Sequence, residues 1–229
     1  MLKKTTWMVL VAGALALALA PVRSEAQVTK GKLRLSLDTR LMGFTAATTD
    51  FDSSAFTDTK TRAFTLGIGN PELGVGIGYT VIDGLVIGAR FAIAFTTTKT
   101  DPDGGNNDKL HAFDLMILPY VEYAFNLGGR IAPFVMATLG YDCALAKDIS
   151  YEDDNSPYDK AVTNLFVMGA GGGAHFFLAE QFSLDASLLL FGGFGGYKVE
   201  AGDADNSQST DASVRSFDME LLVGFSGWI

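Results

Sequence analysis

The chain has 229 residues, 48% hydrophobic and 19% charged, with formal net charge −9 and a single Cys. One Cys cannot close an internal disulfide, and two His with one Cys cannot build a zinc site of nitrogen and sulfur ligands. The acidic balance lacks the basic stripe that a nucleic-acid partner requires, and the 26 glycines exceed the usual share of about 7%.

Lys3 and Lys4 precede an uncharged apolar run over residues 7–20, and Ser24-Glu25-Ala26 places small residues before Gln27. This is the anatomy of a cleaved secretory signal peptide over residues 1–26, with an apolar run too short to span a bilayer comfortably. Its removal takes away three cations and one carboxylate, so the exported body, residues 27–229, is more acidic still.

Beyond residue 27 the recurring pattern is period two, the strand period. Over 32–45, Leu33, Leu35, Leu37, Thr39 and Leu41 oppose Arg34, Ser36, Asp38, Arg40 and Met42. Over 62–80, Phe64, Leu66, Ile68, Leu73, Val75, Ile77 and Tyr79 oppose five glycines, with a phase shift at Asn70-Pro71 that predicts a bulge. The alternation continues over 84–97, 109–125, 130–146, 162–178, 181–197 and 214–229, which makes eight strands. Short connections fall at 80–84, 126–129 and 179–181, and long, polar, acidic ones at 46–61, 98–108, 147–161 and 198–213. Short turns at one end and long loops at the other are the organisation of an up-and-down barrel.

A soluble barrel hides its apolar face, whereas a membrane barrel turns that face to lipid. Charges of both signs sit mid-strand on the minority face, and that face is otherwise rich in glycine, which suits a narrow lumen filled by side chains from neighbouring strands. Aromatic residues collect near strand ends. Tyr79, Tyr123, Phe125, Phe182, Phe225 and Trp228 fall at the short-turn end, and Phe44, Phe64, Phe95, Phe113, Tyr141, Tyr197 and Phe217 at the long-loop end. Two such belts are expected at two membrane interfaces. The fold expected is all-β, an eight-stranded antiparallel up-and-down transmembrane β-barrel.

The signal segment, the eight amphipathic strands and the phrases over 118–123, 132–141 and 182–187 resemble the small Gram-negative outer-membrane barrels of the OmpA-transmembrane, OmpX and OmpW types. The resemblance implies residence in the outer membrane, contact with its lipid and lipopolysaccharide, insertion by the barrel-assembly machinery, and a monomer. Two features depart from the pattern. The last residue is Ile229, in outward phase, where such barrels usually end on an aromatic, and Pro71, Pro119 and Pro133 lie inside strands, where each removes a ladder donor. A bulge accommodates Pro71, and a frayed or bulged rim is expected for the other two.

The candidate site is the lumen. Arg34, Arg40 and Arg90 face Asp38, Glu72, Asp114, Glu122, Asp185, Asp218 and Glu220, which predicts a salt-bridged, net negative interior. Asp101, Asp103 and Asp108, with Glu152, Asp153 and Asp154, gather oxygen ligands in two loops, but without EF-hand spacing, so they are read as solvated carboxylates with at most weak cation contacts. No resident metal or cofactor is expected. The glycine spacing at 169–174 matches a dinucleotide fingerprint, yet a strand rather than a helix follows it. Neither His111 nor His175 has a nucleophile and an orienting acid nearby in sequence, so no catalytic residue is assigned. The function expected is a structural or porin-like barrel, mostly plugged, passing small solutes or cations at best. The alternatives are a surface adhesin acting through acidic loops, a lipid-modifying membrane enzyme, and a soluble lipocalin-like barrel.

Overall fold

The computed structural model describes residues 28–51, 59–66, 73–100, 108–150, 158–202 and 207–229. The leader assigned to residues 1–26 and the phase shift expected at Asn70-Pro71 lie outside them. The described chain is entirely β, in nine antiparallel segments: β1 (Leu33–Phe51), β2 (Thr59–Leu66), β3 (Leu73–Ile82), β4 (Leu85–Thr100), β5 (Asp108–Ala124), β6 (Ile131–Ser150), β7 (Tyr158–Ala179), β8 (Phe182–Gly202) and β9 (Ser207–Trp228).

Each strand from β3 to β9 pairs with the next in sequence, and β1 pairs with both β3 and β9, so eight strands form a closed ring. β2 and β3 lie on the same edge of β1, β2 against residues 42–49 and β3 against residues 33–39. They are the two described parts of the strand read over 62–80. The other strands run further into the long-loop end than the hydrophobic alternation marks, since β6 reaches Ser150 and β9 begins at Ser207. Polar residues beyond the apolar band still pair, because ladder hydrogen bonds do not depend on side-chain polarity.

The inside and outside faces follow the alternation read from the sequence, with one correction. The register between β1 and β9 shifts between Arg40 and Met42, so Leu41 is bulged. The bulge reverses the phase: Met42 pairs with the outward Leu221, and Gly43 takes the inward place against Glu220. The two prolines need no bulge. Pro119 pairs with Ala89, and the β5–β6 register is the same on both sides of it; its carbonyl accepts a hydrogen bond from Thr138 Oγ1 at 2.8 Å. The Pro133 carbonyl accepts from the Phe125 amide at 2.7 Å, and Pro133 keeps its place opposite Ala174.

Outward positions across the middle of the wall carry no charge: Leu85 to Phe95 on β4, Phe113 to Tyr123 on β5, Phe182 to Phe194 on β8 and Phe217 to Phe225 on β9. Phe113 to Tyr123 is ten steps of about 3.4 Å, which at a tilt near 45° gives a band roughly 25 Å tall, the thickness an outer-membrane barrel needs. Aromatic pairs border the band, Phe95–Phe113 and Phe166–Phe194 above, Tyr123–Phe125 and Phe182–Phe225 below. Two residues expected in these belts are inside instead. Trp228 is fully buried at the short-turn end, and Tyr197 packs against the apolar cluster in the lumen. Both occupy inward positions in the alternation, so proximity to a strand end misplaced them.

The glycine face is explained by what crosses it. The Tyr120 ring of β5 lies over Gly88 of β4 and Gly78 of β3; a Cβ at Gly78 would fall 2.6 Å from the Tyr120 hydroxyl and 2.8 Å from Val86. On β7, a Cβ at Gly169 would meet the Phe191 ring at 2.4 Å, and one at Gly173 the Phe134 ring at 2.7 Å. Large side chains thus reach across neighbouring strands that offer no side chain of their own. Gly78→Ala should destabilise the barrel by about 1–3 kcal/mol through overpacking, and adding Tyr120→Leu should recover part of that loss. Urea unfolding of both variants in detergent, read by the heat-modifiable gel shift, checks the pair.

Candidate functional site

Inside the ring, large and charged residues are stacked in layers. At the short-turn end, Val28, Val86, Ala124, Ala132, Phe134, Phe177 and Trp228 form an apolar floor. Val28 is held there by Asn126, whose side-chain oxygen accepts the Val28 amide hydrogen bond at 3.0 Å and whose Nδ2 donates to the Val28 carbonyl.

Directly against this floor lies a closed cycle of ionisable groups. Arg34 of β1 donates to Glu122 Oε2 of β5 at 2.7 Å and to Asp185 Oδ2 of β8 at 3.1 Å. His175 of β7 completes the ring, with Nδ1 2.7 Å from Asp185 Oδ1 and Nε2 3.0 Å from Glu122 Oε1. Both ring nitrogens face carboxylate oxygens, and only the doubly protonated imidazole donates to both. Two cations then meet two anions, and the cycle is neutral. Ser183 and Ser226 donate to Asp185, Arg34 Nε donates to Ser226 Oγ at 2.9 Å, and Trp228 Nε1 donates to Ser183 Oγ at 3.0 Å. The imidazole stacks on Phe134, with ring centroids 4.5 Å apart, and the Arg34 guanidinium lies 5.3 Å from the Trp228 centroid. A fully buried His is tolerated here because both of its ring nitrogens face carboxylates that are themselves paired with Arg34.

Two further ion pairs sit higher. Arg90 of β4 reaches across β3 to Asp38 of β1, with Nη2 2.6 Å from Oδ1 and Nε 3.0 Å from the same oxygen. It passes over Gly74, where a Cβ would lie 2.3 Å from Asp38 Oδ1 and 2.7 Å from Arg90 Nε. Arg40 of β1 pairs with Glu220 of β9 at 3.0 Å. Leu118, Leu165, Val167, Leu189, Phe191, Val214 and Leu222 form a second buried apolar cluster in this upper half. Toward the long-loop end the lumen widens into a vestibule of about 310 Å³, lined by Asp114, Asp142, Asp218 and Glu220 with Arg40 over the apolar Leu165, Val167 and Phe191.

The set of charges expected in the lumen is therefore resolved into three groups and a vestibule. Arg34, Glu122 and Asp185 are brought together, as are Arg90 with Asp38 and Arg40 with Glu220, while Asp114 and Asp218 line the vestibule. Glu72 lies outside the described residues, as do Asp101, Asp103, Glu152, Asp153 and Asp154; Asp108 is the first residue of β5. Among the described residues no cluster of His, Cys, Asp and Glu is arranged to hold a metal ion. His175 was missed as a member of the network because no polar residue lies near it in sequence. Two signals mark it: it continues the inward phase of Gly169, Gly171 and Gly173, and the short turn at 180–181 sets it directly opposite Asp185.

A family model described as the outer membrane protein beta-barrel domain matches residues 12–214. The chain belongs to that family. Its place is accordingly the outer membrane, which agrees with the uncharged outer band. No curated protein matches this outer-membrane barrel in sequence. Among solved structures it is similar to neisserial surface protein A, with 16% identity and a TM-score of 0.42 over 86% of this chain and 99% of that one. It is also similar to the Yersinia pestis attachment invasion locus protein Ail (14%, TM-score 0.34, 86% and 99%) and to the Escherichia coli outer membrane protease OmpT (8%, TM-score 0.42, 90% and 99%).

Removing His175 from the cycle leaves two buried carboxylates facing one arginine. His175→Leu should cost the outer-membrane barrel about 3–5 kcal/mol, and Glu122→Gln in the same background should recover part of it by removing the excess negative charge. Denaturant unfolding followed by the fluorescence of Trp228, which packs on the cycle, measures both.

Proposed function

We propose that the protein is a structural, porin-like outer-membrane barrel with a plugged, net negative lumen, in which small cations or solutes enter the vestibule but do not cross. The observation that carries this reading is the lower layer. The Arg34–Glu122–His175–Asp185 cycle and the buried Phe134, Phe177 and Trp228 lie together at the short-turn end, drawing on β1, β5, β6, β7, β8 and β9, and support a plug there. A chain of ordered charges in a narrow ring is a closed door as long as its pairs hold, since an ion entering must replace a satisfied partner. The vestibule above it is lined by more carboxylates than cations, which favours cations at the mouth.

The reading is also of a non-catalytic barrel. Both nitrogens of the fully buried His175 are taken by carboxylates, and the Ser183 and Ser226 hydroxyls both donate to Asp185, so neither serine is poised as a nucleophile toward solvent. A monomer inserted by the barrel-assembly machinery is proposed on the closed ring, in which each of the eight strands has a neighbour on both sides among the described residues.

Planar-bilayer recording tests the closed lumen. The wild-type barrel should give no stable conductance steps at 0.1–1 M salt, on the order of the range where surface charge effects are screened. The double variant Arg34→Ala, Trp228→Ala should give cation-selective steps while keeping the folded gel mobility. Steady wild-type steps would refute the plug, as would a folded double variant that stays silent.

A further inference from the structure

The wall of the vestibule is built of two kinds of surface set side by side. Met116 of β5 is directly opposite Asp142 of β6, and Asp142 is directly opposite Leu165 of β7. Phe191 of β8 is directly opposite Asp218 of β9 in the same way. Neighbouring strands are about 5 Å apart, so each of these carboxylates stands beside an apolar side chain. Met116, Leu165, Val167, Phe191 and Val214 supply the apolar part of a cavity of about 310 Å³. Small-ligand sites run from about 300 Å³ upward, so this volume suits one short molecule.

The charge of the cavity selects the sign of that molecule. Four carboxylates, Asp114, Asp142, Asp218 and Glu220, share the space with one guanidinium, an excess of three negative charges. That guanidinium, Arg40, is held by Glu220 at 3.0 Å. Asp114 and Asp218 have no ion pair or hydrogen bond among the described residues. An anion, or a zwitterion that must seat its own carboxylate, is repelled here. A metal ion is a poor match as well. A hard dication gathers about six to eight oxygens around one point, and among the described residues no group of His, Cys, Asp and Glu converges in that way. An inorganic ion would also leave the apolar half of the wall unused.

We propose that the vestibule is a binding site for a small organic ammonium ion, with Asp114 and Asp218 as its charge partners and Leu165, Val167 and Phe191 as the seat of its hydrocarbon part. This site rests on the reading of a lumen closed below the vestibule, since a ligand in an open channel would pass on. The two surfaces reinforce each other. Apolar side chains beside a carboxylate exclude water and lower the local dielectric, so an ammonium group is held more tightly there than at an exposed carboxylate. The hydrocarbon part is in turn removed from water against the same wall. A neutral hydrocarbon gains only the second effect, and a bare cation only the first.

The test titrates the full barrel in detergent micelles at neutral pH with phenethylammonium chloride, read by methyl NMR. The methyl groups of Leu165, Val167 and Val214 should shift saturably, and those of Val28 and Val86 in the apolar floor at the other end should stay in place. Phenethyl alcohol, which has the same shape without the charge, should bind about tenfold more weakly through loss of the charged hydrogen bond. Ethylammonium, which lacks the ring, should lose about tenfold or more through the missing apolar burial. Asp114→Asn with Asp218→Asn should weaken phenethylammonium by about tenfold or more and leave phenethyl alcohol unchanged. Equal binding of phenethylammonium and either comparison compound by the wild type would overturn the proposal, and neither comparison depends on a variant folding. Undiminished binding by a folded double asparagine variant would overturn it as well. Uptake of the bound probe into proteoliposomes would refute the closed lumen while the site stood, whereas a non-conducting wild type whose vestibule methyl groups do not shift overturns the site alone.

Discussion

An unsatisfied amide or carbonyl in hydrocarbon costs several kcal/mol, so a strand that crosses a bilayer needs a hydrogen-bonded neighbour along both edges. Here that requirement is met by the pairing of β1 with β9 from residue 34 to residue 51, which turns a meander into a ring. The contribution of this pairing is to close the ring of described strands, and not the energy of one ladder. The Leu41 bulge interrupts it once, and the phase reversal that follows keeps Met42 and Phe44 on the lipid side while Gly43 makes room for Arg40 inside.

Closing a ring of only eight strands fixes how much can fit inside it. The interior is solved by trading size between neighbours: glycine on β3 and β7, and tyrosine, phenylalanine or arginine reaching over from β4, β5, β6 and β8. The same trade makes the ion pairs possible. Arg90 reaches Asp38 because β3 presents Gly74 and Gly76 between them, and a side chain at Gly74 would stand in the line of the bridge. Glycine and buried charge are two parts of one packing solution, because each ionic group must find its partner within a ring of fixed width or remain a buried charge that costs several kcal/mol.

Most of the wall was legible in the sequence, because one physical variable, alternation of apolar side chains, reports directly on which face meets lipid. Arg34, Arg40 and Arg90 stand on the face that this alternation assigns to the lumen, and each meets a carboxylate there. Three things were not legible. Which partners meet depends on strand register and shear, so the grouping of Arg34 with Glu122 and Asp185, separated by 88 and 151 residues, had no local signature. A bulge at one residue shifts every later face, and Leu41 resembles its neighbours, so Met42 was assigned to the wrong side. His175 looked isolated because sequence distance was used where the hairpin register was needed; counting across the short turn pairs it with Asp185. The aromatic belts show the same limit, for Trp228 and Tyr197 have the right height and the wrong face.

The alternation also explains how a strongly acidic protein can carry basic residues on its outer face just above the apolar band. Along a strand, adjacent residues face opposite media, so charge of one sign can be directed inward and the other outward without any change in the backbone. On β6, Asp142 faces the vestibule while Lys147, five residues on and therefore on the opposite face, stands outside above the band. On β9, Arg215 and Asp218 divide in the same way across three residues. Net charge is a poor guide to such a molecule, because it adds together two surfaces separated by the thickness of a single sheet. What the surrounding lipid encounters is the outward set alone, and across the middle of the wall that set is neutral.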